Sequence, residues 1–174
     1  MRSSAFDSAV AGKTVLITET RMEPLQLLGR VGSTSFVIAG SRRTLCPESL
    51  NPYELMGAAL GSCTAMMLRL SADLMGLAVS RIQVSVSHHS RYPDTVALFE
   101  RTIFLEGPIS AGDKLRLLEA AQRSPVDLTL RGGAEIRTIL STDNYLAATP
   151  ATSDYLSDIG QAVAAEFSVS SPTD

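Results

Sequence analysis

Fourteen consecutive residues, from Leu55 to Leu68, carry no charge, and nearly all of them are apolar or small. The stretch sits behind a strong helix start: Asn51 suits an N-cap, Pro52 the first helical position, and Glu54 is the third residue after the cap. Gly76 tolerates the left-handed backbone that ends many helices, so one helix is predicted from Pro52 to Gly76. Its 25 residues span about 37 Å. A helix without a polar face is expected to be surrounded by protein rather than to lie on a surface. It falls short of a membrane span, because Glu54 and Arg69 bound only 14 uncharged residues where a bilayer needs roughly 18–20.

Around this helix the pattern is that of one α+β domain. Lys13 to Thr18, Leu25 to Leu28 and Ser35 to Ala39 read as three strands of a β-meander punctuated by Gly29, Gly32 and Gly40. Ile82 to Ser87 alternates with period two and is predicted to pair as a hairpin with Val96 to Phe104 through Tyr92-Pro93-Asp94-Thr95. Ser110 can cap a second helix with Asp113 in its first turn and with Leu115, Leu118, Ala121 and Gln122 marking its faces. Pro125 breaks that helix or opens a fresh turn, and Ala134 to Leu140 forms a last strand. Residues 1–12 are expected to be a flexible N-terminus, 13–141 the folded domain, and 142–174 a C-terminal extension with one helix over Asp154 to Phe167. Strands, long helix, strands, helix, strand is not the alternation of a doubly wound sheet.

A formal net charge of −3 leaves no electrostatic footprint for nucleic acid or an anionic membrane. No signal-peptide core follows Met1, so the chain reads as cytoplasmic. Two cysteines make neither a disulfide scaffold nor an all-cysteine zinc site. His88 and His89 point to opposite faces of a strand and cannot chelate one ion, so no metal and no cofactor is expected. Gly132-Gly133 lacks the spacing of a phosphate loop and reads as a turn. The chemistry therefore rests on two thiols. Cys63 lies mid-helix, where it is either a small hydrophobe of the core or a shielded nucleophile. Glu54, nine residues back, falls about 180° around the helix and is not its neighbour. Cys46 follows Arg42-Arg43, which could promote its thiolate, and it could form a reversible disulfide with Cys63.

The run from Asn51 to Thr64 resembles the long central helix of the OsmC/Ohr family, which carries its peroxidatic cysteine there. His89-Ser90-Arg91, Phe99-Glu100-Arg101, Glu106 to Ser110 and Ser124 to Leu130 follow in matching order, so the resemblance covers roughly residues 13–141. It implies an OsmC-like fold, an intertwined homodimer with the long helices at its centre, and an antioxidant, stress-response oxidoreductase. In such a thiol peroxidase the Cys63 thiolate attacks an organic hydroperoxide and becomes a sulfenic acid, which a second cysteine condenses into a disulfide that dithiol reductants restore. This chain departs from the pattern at three positions. Ser124 stands where the resolving cysteine normally precedes Pro-Val, Asp127 where a histidine often follows, and Tyr53, next to Glu54, where peroxidase subfamilies carry a Glu. The activating arginine has four candidates, Arg21, Arg30, Arg42 and Arg43. Three readings stay open: a one-cysteine peroxidase that uses an external thiol, a two-cysteine enzyme with Cys46 as substitute resolver, and a non-catalytic relative that binds an apolar ligand at the dimer interface.

Overall fold

A computed structural model describes residues 15–21, 25–39, 49–89, 97–142 and 161 of the 174-residue chain. The chain divides into two compact units, residues 1–51 and 52–174. Cys46, the pair Arg42-Arg43, the turn over Tyr92 to Thr95, and all of the extension after Thr142 except Gln161 lie outside the described residues.

The first unit is the expected meander. β1 (Val15–Glu19), β2 (Gln26–Val31) and β3 (Thr34–Ala39) run antiparallel in the order β1-β2-β3. Val31 pairs with Thr34, leaving a two-residue turn in which Gly32 takes φ 58°, the left-handed region that favours glycine. Gly29 pairs with Phe36, whose ring covers the space a side chain at 29 would occupy. Thr20 closes the other turn by donating its Oγ1 proton to Gln26 Oε1 at 2.7 Å.

The second unit opens with α1 (Pro52–Leu74). Its C-terminus is a Schellman motif: Gly76 at φ 65° donates its N–H to Asp73 O at 3.1 Å, and Leu77 donates to Ala72 O at 2.9 Å. β4 (Arg81–His89) and β5 (Ala97–Glu106) pair antiparallel. α2 (Ala111–Ala121) and α3 (Pro125–Leu130) then carry the chain to β6 (Ala134–Ser141), which pairs parallel to β5, so β5 is the central strand. Ser110 caps α2 as expected, accepting from the Asp113 N–H at 3.1 Å. Of the residues that mark the faces of α2, Ala121 is buried and Leu118 packs on the core with the buried Leu117 and Ala120, whereas Leu115 faces solvent.

α1 lies on β4 through Gly57 and Gly61, where an added Cβ would stand 3.7 and 3.4 Å from the Val86 methyls. Only one stripe of α1, Gly57, Leu60, Thr64, Leu68 and Ala72, is buried within the chain. The expectation that protein surrounds the helix on every side is therefore not met by a single copy. By length and composition α1 could also cross a bilayer, a test that the core helix of a globular domain passes equally. Below it the core forms two apolar clusters. One joins Leu60, Phe99 and Ile136, and the other joins Leu68, Ala72, Val79, Ile103, Leu105, Leu117 and Ala121.

Gly76→Ala tests the helix stop in isolation, since a Cβ there meets nothing within 4 Å and only the backbone conformation is strained. It is expected to cost about 1–2 kcal/mol in urea unfolding with an unchanged slope.

Candidate functional site

Cys63 is a free, half-buried thiol on α1. At 3.6 residues per turn, Met56, Ala59, Met66 and Leu70 fall within about 60° of it around the helix. All four are exposed, Met66 at 65% and Leu70 at 61%, while Leu60 and Met67 on the other side of the thiol are buried and half-buried, so Cys63 sits at the border of an exposed apolar stripe. This stripe contains no charged side chain between Glu54 and Arg69.

The expected supporting residues are dispersed. Glu54 is exposed on the far side of α1, where it lines a groove of about 260 Å³ with Gly57, Ala58, Gly61, Ser62, Val84 and Val86 that Cys63 does not reach. Tyr53 turns into the second unit: its ring lies 4.0 Å from that of His88, which lies 4.7 Å from Phe99. His88 is buried by this stack, and His89 meets Ser87 Oγ at 3.1 Å. Arg30, exposed on β2, and Arg21, at φ 59°, belong to the first unit. Arg42, Arg43 and Cys46 are outside the described residues. Among the described residues no group of three His, Cys, Asp or Glu could hold a metal ion.

Ser124 is fully buried at the N-cap of α3, and its Oγ has no hydrogen-bond partner among the described residues. One turn on, the fully buried Asp127 faces a residue to which sequence reasoning gave no role. Arg101, on β5, is itself fully buried, with Nη1 2.9 Å from Asp127 Oδ2. Its Nη1 also donates to Thr64 Oγ1 at 2.8 Å, and Nη2 donates to Thr138 Oγ1 at 2.8 Å. Thr64 in turn donates to Leu60 O at 2.7 Å, and Arg131 Nε contacts the other Asp127 oxygen from the surface.

These groups form one polar layer between the two apolar clusters. Along α1 the buried positions read Leu60, Thr64, Leu68 and along β5 Phe99, Arg101, Ile103; beside them on β6 stand the buried Ile136 and the half-buried Thr138 and Leu140. The β5–β6 register pairs them rank by rank. Burial pulls the Arg101 guanidinium below its ordinary pKa more strongly than the Asp127 carboxylate pulls it up. A signal was present in the sequence: period-two alternation on β5 puts residue 101 between two core positions. Arg at that place requires a partner inside.

An α+β domain with a free thiol on its longest helix, over a three-stranded sheet, defines the class. The OsmC-like protein family matches residues 47–139, more than half of the chain, and the chain belongs to that family. Similar solved structures include an OsmC-like protein from Mycoplasma pneumoniae, 12% identical, with a TM-score of 0.64 over 74% of this chain and 95% of that one. An organic hydroperoxide resistance protein OsmC from Legionella pneumophila is 14% identical, with a TM-score of 0.63 over 77% and 99%. Another such resistance protein, from Elizabethkingia anophelis, is 15% identical, with a TM-score of 0.64 over 78% and 99%. At these identities the likeness shows the fold. No curated protein matches the chain.

Asp127→Ala removes the carboxylate that faces the buried guanidinium and leaves the Arg101 cation with hydroxyl partners from Thr64 and Thr138. A loss of about 3–5 kcal/mol is expected in denaturant unfolding.

Proposed function

We propose that the protein is a one-cysteine thiol peroxidase that reduces organic hydroperoxides through Cys63. The observation that carries this reading is a free, half-buried thiol on α1; the resemblance puts the resolving cysteine at position 124, where this chain has a buried serine. The Cys63 thiolate attacks the terminal peroxide oxygen, the O–O bond breaks, and the alkoxide leaves and takes up a proton as the alcohol. Cys63 becomes a sulfenic acid. An external thiol then forms a mixed disulfide with Cys63 and releases water, and a second thiol frees Cys63. The resistance proteins of similar fold support an organic peroxide as substrate. The substitute-resolver route through Cys46 differs only in the second step, where Cys46 releases the water and forms an internal disulfide.

The working unit is proposed to be a cytoplasmic homodimer, an assembly that would cover the apolar stripe of α1. Burying each of Met56, Met66, Leu70 and Leu74 is worth about 1.5–3 kcal/mol. The same stripe supports the alternative of a non-catalytic relative that holds an apolar ligand there. Light scattering is expected to give twice the chain mass of 18.5 kDa; a monomer mass would refute the dimer.

Treatment with stoichiometric cumene hydroperoxide, followed by intact mass, separates the routes. A gain of one oxygen (~16 Da), trapped by dimedone at Cys63 and lost in Cys63→Ser, is expected. Loss of two hydrogens that joins Cys46 to Cys63 would replace the external thiol by Cys46, and an unmodified Cys63 would refute the peroxidase.

A further inference from the structure

The polar layer is a poor way to stabilise a core. Replacing a buried ion pair with packed apolar side chains is often neutral or stabilising, and this one leaves Arg101 Nε and Ser124 Oγ fully buried without hydrogen-bond partners among the described residues, while Asp127 Oδ2 meets Arg101 as an ion pair without an aligned hydrogen bond. Its layout follows the chemistry instead. One end is Ser124 with Asp127, in the turn that holds the resolver position. The other is Thr64, the residue after Cys63, whose hydroxyl is fixed between Leu60 O at 2.7 Å and Arg101 Nη1 at 2.8 Å, so the guanidinium grips the helical turn that contains the thiol. Asp127 Oδ2 at 2.9 Å and Thr138 Oγ1 at 2.8 Å hold the guanidinium from α3 and β6.

We propose that Arg101 is a positioning residue for Cys63: through Thr64 it locks the Leu60–Thr64 turn of α1 to α3 and β6 and so sets the direction in which the thiol is presented. Arg101 does not touch the peroxide, since it is fully buried. A lysine could not replace it, because one ammonium cannot span Thr64, Asp127 and Thr138 with the geometry of a planar fork. The inference rests on Cys63 being the reacting thiol, and its test carries one readout that is independent of peroxidase activity.

The full chain is compared as wild type, Thr64→Val, Thr64→Ser, and the paired variant Arg101→Met with Asp127→Leu, which replaces both buried charges by apolar groups. For each, the thermal midpoint, the rate of Cys63 alkylation by iodoacetamide, and kcat and KM with cumene hydroperoxide and dithiothreitol are measured. Thr64→Val, which removes only the tie, is expected to lower both the alkylation rate and kcat about tenfold with KM within about twofold. Thr64→Ser keeps the hydroxyl and is expected to return both to within about threefold of wild type. The paired variant is expected to stay folded and to show the Thr64→Val loss. Folded Thr64→Val or paired protein that reacts with iodoacetamide at the wild-type rate or faster would overturn the proposal and leave the layer a packing feature. If the paired variant does not fold, the two Thr64 variants decide. If wild type alkylates but consumes no peroxide, the peroxidase reading fails while the alkylation series still tests the positioning.

Discussion

The second unit depends on how one buried guanidinium is satisfied. Arg101 stands on the central strand of the sheet, and the three elements that pack around it each contribute a group: Thr64 from α1, Asp127 from α3 and Thr138 from β6. An unpaired charge at that depth would cost several kcal/mol, so a slip of any one element by a residue would be penalised by the loss of its partner as well as by its packing. The apolar clusters on either side supply most of the burial. The polar layer between them adds a constraint on register, because each of the three elements must bring its own partner to Arg101.

The same α1 works on two further sides. Toward β4 it presents Gly57 and Gly61, whose missing side chains allow contact with Val86. On another side Cys63 borders a stripe of methionine, alanine and leucine that the described residues of the second unit leave exposed. The long apolar sequence thus serves a tight helix–sheet contact and an uncovered surface at once, which is why it shows so little periodicity.

Membership of the OsmC-like family and the positions at which this chain departs from the family pattern acquire a common physical setting. Ser124 and Asp127 are successive inward positions at the start of α3, one a buried hydroxyl and the other a carboxylate against Arg101. Tyr53 instead stacks on His88, and Glu54 lies on the opposite side of the helix from the thiol. An activating pair for Cys63 is not assembled by the described residues of the second unit.

Much of this was legible residue by residue. The meander, the helix start at Pro52, the cap at Ser110, the stop at Gly76 and the fresh turn at Pro125 all follow from local backbone chemistry, and the position of Cys63 follows from the motif around it. The parallel pairing of β5 with β6, the inward face of α2 and the stack on His88 were not legible, because they depend on which surfaces meet after the chain has folded back. Arg101 shows the boundary most clearly. The sequence by itself determined that it shares a strand face with Phe99 and Ile103, by alternation alone; only the tertiary structure decided that its partners include Thr64, 37 residues before it, and Thr138, 37 residues after it, because a buried guanidinium donates to whatever acceptors the packed elements bring within reach.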